Sequence, residues 1–128
     1  MKRLLFTLAV IASLSSFAQS EENMKNLWFI NAERPLGASF WMKGEYLQIT
    51  LDMKHDGENV FQIPISQASY EMKYEFSQGD GQNLWYLYIT CKEEKECISP
   101  TGWKQLVIAV AEHHERADNI LKGLKALK

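Results

Sequence analysis

The sequence predicts an α+β domain, an antiparallel meander sheet or partly open barrel of five to six strands with an amphipathic C-terminal helix. A short N-terminal helix is one of two interpretations of the segment that precedes the strands. Three observations lead to this prediction. Apolar and polar residues alternate with a period of two in several runs between residues 40 and 110, turn signals separate these runs, and from Glu112 apolar residues recur at helical spacing.

The first 18 residues have the composition of a secretory signal peptide. The cationic head Met1-Lys2-Arg3 precedes an uncharged apolar run, and Ser16 and Ala18 are small residues where a signal peptidase requires them. This run is shorter than the roughly 20 residues that cross a bilayer, so we expect cleavage after Ala18 and no retained transmembrane segment. The sequence therefore predicts an exported protein, periplasmic or secreted, in which residues 19–128 form a single small domain.

Residues 19–128 are mildly acidic. Loss of Lys2 and Arg3 with the signal peptide leaves 12 basic against 16 acidic side chains, a formal charge of −4. Lysine and glutamate are interspersed and form no basic stripe of the kind that nucleic-acid binding requires. The sequence therefore argues against nucleic acid and leaves an unidentified protein, peptide or glycan as the partner.

The segment 22–33 admits two interpretations. Ser20-Glu21-Glu22 suits a helix N-terminus, and Met24, Leu27 and Trp28 would then lie on one helical face. The apolar part of this segment could also form a strand, because it is too short for its periodicity to decide. Helix and strand both remain open at this stage.

Residues 40–110 contain the predicted strands. The strand-like runs are residues 46–53, 60–65, 70–76, 84–91 and 103–110. His55-Asp56-Gly57 and Gln78-Gly79-Asp80-Gly81 supply turn signals between them. The run 84–91 has large apolar or aromatic residues on both faces, which is typical of a central strand or of a strand that is covered on both sides.

The chain ends in an amphipathic helix. Its apolar stripe recurs at 3.6-residue spacing and consists of Ala117, Ile120, Leu121, Leu124 and Leu127. A meander followed by one such helix resembles the pleckstrin-homology-like architecture over residues 40–127. Members of that superfold often bind phosphoinositides or peptides, but basic residues that would hold phosphates are not clustered in this chain.

Cys91 and Cys97 are the two cysteines of the chain. A three-residue turn at residues 93–95 would place them directly opposite each other, at a distance that a disulfide can bridge. An oxidising compartment favours this disulfide, and two reduced, half-buried thiols are the alternative. The spacing is not Cys-x-x-Cys, and no further ligands lie nearby, so the pair predicts neither a redox nor a zinc site.

No motif indicates catalysis, metal binding or a cofactor. His113 and His114 are adjacent on the predicted helix and point about 100° apart, so both cannot face one metal ion. The serines lack the surroundings of a hydrolase nucleophile. We therefore predict no catalytic residue, no metal ligand and no cofactor, and a small periplasmic hydrolase is the least favoured hypothesis.

Four Trp and five Tyr are many for a domain of this size. Most should be buried, with Trp85 and Trp103 the safest choices. The alternative is an exposed platform that stacks on a glycan or peptide, for which the candidates are Trp41, Tyr46, Tyr86 and Tyr88. The leading hypothesis is an exported, non-enzymatic binding or interaction domain of unknown ligand, and a carbohydrate- or peptide-binding module that uses these aromatic residues is the alternative.

Overall fold

The computed structural model describes residues 21–53 and 57–128. The predicted signal peptide, residues 1–18, lies outside these ranges, as do His55 and Asp56 of the predicted turn. The described residues form two helices and six antiparallel strands in two three-stranded sheets. The predicted α+β class, the strand meander and the C-terminal helix are confirmed.

The elements follow in simple order along the chain. Helix α1 covers residues 21–32, so the N-terminal segment is a helix and not a strand. The first sheet contains β1 (Ala38–Lys43), β2 (Tyr46–Met53) and β3 (Gly57–Pro64). The second sheet contains β4 (Ala68–Ser77), β5 (Gln82–Cys91) and β6 (Gln105–Ala111), and α2 (His114–Lys125) completes the domain.

Strand alternation places the core between the layers. In the first sheet β2 is central, and its inner residues Leu47 and Ile49 pair with Ile63 and Phe61 of β3. In the second sheet β5 is central, as its two apolar faces predicted. The inner residues of both sheets join the buried residues of both helices in one hydrophobic cluster, which is the usual arrangement of packed layers.

Helix α2 lies against all three strands of the second sheet. Its predicted stripe is buried at Ala117, Ile120, Leu124 and Leu127, and Leu121 is half-buried. Helix α1 approaches α2 closely, because a Cβ added to Gly123 would lie 2.5 Å from Cγ1 of Ile30. The two helices therefore meet where α2 has no side chain.

The helical face of α1 that carries Met24, Leu27 and Trp28 is not the face that packs on the core. Leu27 is buried as expected, but Met24 and Trp28 are 51% and 64% exposed. Two asparagines orient the helix instead: Asn23 exchanges hydrogen bonds with the backbone of Lys128, and Asn31 exchanges them with the backbone of Phe40. These polar anchors turn the face that carries Leu27 and Ile30 inward and leave Trp28 in solvent.

The Cys91–Cys97 disulfide is confirmed, with the two Cα atoms 5.8 Å apart. The predicted hairpin around it is not formed. Strand β5 ends at Cys91, a single helical turn follows at Lys92–Glu94, and Cys97 lies outside the strands. The disulfide therefore links the end of a central strand to the loop that leads into β6.

The predicted burial of Trp103 is also wrong, and Trp85 is only half-buried. Trp103 precedes β6 and forms an isolated bridge with Ile98. Its ring stacks on Phe61 with the ring centroids 5.6 Å apart, and 49% of the residue stays exposed. Trp103 thus covers a buried ring of the first sheet from outside and does not lie in the core.

Candidate functional site

The outer face of the first sheet carries an exposed aromatic pair. Trp41 of β1 is 42% exposed and Tyr46 of β2 is 44% exposed. Trp41 pairs with Gln48, two residues beyond Tyr46, so the two rings are diagonal neighbours on adjacent strands. Diagonal neighbours lie about 7–8 Å apart, within reach of one ligand.

Mostly uncharged polar side chains surround this pair, together with one lysine, Lys43 of β1, which lies opposite Tyr46 and is exposed. We call the surface the open face and define it by its residues, which are Ser39, Trp41, Tyr46, Gln48, Thr50, Val60 and Gln62. Nε2 of Gln62 donates a hydrogen bond of 3.3 Å to Oε1 of Gln48 across β2 and β3. The centre of the open face therefore offers two rings and uncharged donors and acceptors.

The inner side of the sheet positions the open face. Phe40, Leu47 and Ile49 are fully buried, so strand alternation directs Trp41, Tyr46 and Gln48 outward. Asn31 of α1 fixes the backbone next to Trp41: its side-chain amide donates to the carbonyl of Phe40 at 2.8 Å, and its Oδ1 accepts from the Phe40 N–H at 2.9 Å. Two hydrogen bonds to α1 thus hold the strand next to the exposed ring.

Tyr86 and Tyr88 form a second pair on the outer face of the second sheet, where both are half-buried. The hydroxyl of Tyr88 donates to the Glu75 carboxylate, with oxygen distances of 2.7 and 2.8 Å, and Nζ of Lys73 lies 4.5 Å from its ring centroid. The hydrogen bond to Glu75 is the main cause that raises the pKa of Tyr88 above its ordinary value. Tyr88 is therefore occupied by contacts within the chain.

The structure divides the four predicted stacking residues between the two sheets. It brings Trp41 together with Tyr46, and Tyr86 together with Tyr88. Among the described residues, neither Trp41 nor Tyr46 has an aromatic, cation–π or side-chain hydrogen-bond partner. The first pair is the one whose ring surfaces remain free.

Further exposed aromatic residues were missed from the sequence. Trp28 and Phe29 of α1 stand edge to face, 5.7 Å apart, and are 64% and 54% exposed. Tyr74 and Phe76 of β4 are 54% and 62% exposed. Strand alternation places Tyr74 and Phe76 on the same inner face as Tyr70 and Met72. They are nevertheless exposed, because β4 extends past the region in which Tyr70 and Met72 are half-buried.

A cleft of about 180 Å³ lies between the end of α1 and the start of α2. Arg34, Arg116, Glu112 and His113 line it, and all four side chains are exposed to solvent. His114 turns away from this cleft, and its ring meets the edge of Trp85 at 5.0 Å. The two histidines therefore lie in different surroundings, and only His114 belongs to α2, because His113 has extended backbone angles and precedes the helix.

Within the described ranges, 21–53 and 57–128, no three His, Cys, Asp or Glu residues lie close enough together to hold a metal ion. No helix within those ranges is long and apolar enough to cross a membrane.

No family model, no curated protein and no solved structure matches this chain.

Proposed function

We propose that this chain is an exported, non-enzymatic binding module, and that the open face is the surface that meets its ligand. The observation that carries the proposal is the adjacent pair Trp41 and Tyr46. Both rings are large, exposed and without a side-chain partner in the described part of the chain. Exposed Trp and Tyr at neighbouring positions supply rigid contact area at small conformational cost.

Two features support export. The first 18 residues have the pattern of a signal peptide. Cys91 and Cys97 form a disulfide, and structural disulfides persist mainly in oxidising compartments such as the periplasm or the extracellular space. The meander followed by a C-terminal helix also keeps the pleckstrin-homology-like architecture as our proposal for the fold family.

A neutral saccharide is the ligand class that fits the open face best. A sugar ring presents apolar C–H groups that stack on aromatic rings, and hydroxyls that need uncharged donors and acceptors at its rim. The open face offers both, through Trp41 and Tyr46 and through the amides of Gln48 and Gln62. One lysine, Lys43, lies opposite Tyr46 there, but β1, β2 and β3 contain no second basic residue, which argues against the phosphoinositides that the superfold resemblance implies.

A titration with neutral saccharides tests the proposal. The probes are β-1,4-linked hexasaccharides of glucose and of N-acetylglucosamine, and binding is followed by calorimetry. We expect Trp41→Ala and Tyr46→Ala each to weaken binding by about tenfold, which corresponds to about 1.4 kcal/mol. Trp28→Ala is the matched control, because Trp28 is equally large, more exposed and on another surface, and it should bind like the unaltered chain.

Three results would contradict parts of the proposal. Equal affinity of Trp41→Ala and the unaltered chain would remove the open face as the binding surface. Binding of extended peptides in place of both saccharides, with the same loss in Trp41→Ala, would replace the ligand class. Release of new reducing ends during the titration would show that the protein is an enzyme.

A further inference from the structure

The four edge strands of the two sheets differ in whether residues outside the sheet form hydrogen bonds with them. In the first sheet, the side-chain amide of Asn31 forms hydrogen bonds with the backbone N–H and C=O of Phe40 in β1. Gln62 of β3 exchanges two backbone hydrogen bonds with Ser99. In the second sheet, the Val110 carbonyl of β6 accepts a hydrogen bond from the N–H of Leu36. Three edges thus take hydrogen bonds from outside their own sheet.

Strand β4 is the exception. It is ten residues long and pairs with β5 on one side. At its start the Ala68 N–H donates to the Ile65 carbonyl, but from Ser69 to Phe76 no backbone hydrogen bond reaches its other side from any residue in the described ranges. A long edge with free N–H and C=O groups is a template on which a further strand can add.

The side chains of β4 make this edge unusually apolar at one end. Tyr74 and Phe76 are 54% and 62% exposed. They share the inner face with Met72, which is half-buried. On the opposite face of the strand, Glu71, Lys73 and Glu75 alternate with these residues and are all exposed.

We propose that β4 pairs antiparallel with β4 of a second copy of this chain, in the register that places Tyr74 opposite itself. In this register each Lys73 lies opposite Glu75 of the other copy, so two opposite-charge pairs form, and Phe76 lies opposite Met72. The pairing is symmetric, as a twofold dimer requires. It joins the two second sheets into one sheet of six strands.

Charge selects this arrangement over its neighbour. A register centred on Lys73 would place the two lysines opposite each other and Glu71 opposite Glu75, which sets like charges together. A register centred on Met72 would satisfy the charges, but it would place the exposed Phe76 against Ala68, which is already buried. The register centred on Tyr74 satisfies the charges and covers both exposed rings.

The experiment is a charge exchange read out by sedimentation velocity on the purified chain with its disulfide intact. We expect a concentration-dependent dimer for the unaltered chain. Lys73→Glu and Glu75→Lys should each weaken self-association by at least about tenfold, because each places two like-charge pairs across the interface. An equimolar mixture of the two variants should recover the dimer, since every facing pair is then of opposite charge.

Two further variants guard this test against trivial effects. Phe76→Ser removes an exposed ring from the edge and should also weaken the dimer, whereas Phe29→Ser removes a similarly exposed ring from α1 and should leave it unchanged. Circular dichroism and thermal unfolding establish that each variant is folded. Oxidative cross-linking of Tyr74→Cys, with Met72→Cys giving none, identifies the register.

The proposal would be overturned by a chain that stays monomeric up to millimolar concentration. It would equally be overturned by dimers that survive in both charge variants, or by a mixture that stays monomeric while each variant is folded. Cross-linking through Met72→Cys and not through Tyr74→Cys would overturn the register. These readouts do not involve a saccharide, so they are independent of the ligand proposed for the open face.

Discussion

The two sheets are built alike but differ in what happens to the aromatic residues on their outer faces. Each is a three-stranded antiparallel meander with the second strand in the centre. In the first sheet, Trp41 and Tyr46 stand free; in the second, Tyr88 is held by Glu75 and Lys73. Contact with the charged neighbours makes the difference: Glu75 and Lys73 of β4 both contact Tyr88, whereas Lys43 of β1, opposite Tyr46, forms no cation–π contact with it among the described residues.

The sheets also differ in how their inner faces are covered. Helix α2 lies across the second sheet, where its buried residues Ile120 and Leu124 are fully inaccessible to solvent. Comparison of Tyr88 with Trp41 shows that alternation along a strand indicates which way a ring points, but not whether the ring is free of contacts. Substitutions that perturb one sheet and leave the other unchanged test these differences.

The largest expected effect is a loss of stability when the packing of α2 on the second sheet is disrupted. Leu124→Ala should lower the free energy of unfolding by about 2–5 kcal/mol, because it leaves a cavity under α2. Urea denaturation measures the change. Leu121→Ala is the matched control on the same helix, and because Leu121 is only half-buried it should cost less. Equal costs would show that α2 does not pack as described.

A second prediction concerns Tyr70, which lies on the inner face of the second sheet. Burial raises the pKa of its hydroxyl from 10.0 to about 12, and this hydroxyl has no hydrogen-bond partner among the described residues. The folded chain therefore resists ionisation that the unfolded chain undergoes. The contribution of un-ionised Tyr70 to the free energy of unfolding is fully present below pH 10. It falls as the pH rises toward 12, by about 2–3 kcal/mol in total.

Denaturant titrations at pH 9 and pH 12 measure this loss, with Tyr70→Phe as the comparison. The phenylalanine variant should lose less stability over that interval, and at pH 9 it should be at least as stable as the unaltered chain, because an unpartnered buried hydroxyl is removed. The same alkaline loss in both chains would contradict the assignment to Tyr70.

The smallest expected effect tests the contacts of Tyr88. Glu75→Gln should lower the pKa of Tyr88 toward its ordinary value, because it removes the carboxylate that accepts the hydroxyl hydrogen bond and repels the phenolate. NMR titration of the tyrosine ring carbons reports the change. Glu71→Gln is the matched control and should lower this pKa less, since Glu71 acts only through its charge. A Tyr88 pKa unchanged in Glu75→Gln would mean that the hydrogen bond is not formed in solution.

Much of the fold could be predicted because local patterns decide it. The alternation of residues 46–53 and 70–76 predicted β2 and β4, and the terminal apolar stripe predicted α2. The disulfide followed from two cysteines at the ends of a short loop. In each case the deciding residues lie close together in the sequence.

The errors arose where distant residues decide. The orientation of α1 depends on hydrogen bonds between Asn23 and Lys128, which are 105 positions apart. The exposure of Trp103 depends on its position outside Phe61, a residue of β3 in the first sheet. Neither contact leaves a periodic signal in the sequence.

The candidate site was predicted only as a set of four aromatic residues. Choosing between the two pairs requires the β4–β5 register, which brings charged residues to Tyr88, and the β1–β2 register, which makes Trp41 and Tyr46 neighbours. A single sequence states which residues can face outward, but not which of them find partners across a strand.

The most direct test of the account is an NMR map of the bound surface. The chain is titrated with the β-1,4-linked hexasaccharides, and the changes in its amide and aromatic signals are recorded residue by residue. We expect the largest changes at Trp41, Tyr46, Gln48 and Gln62. Changes confined to Tyr86 and Tyr88 or to the cleft beside His113, or no saturable change at all, would contradict the claim that the open face binds the ligand.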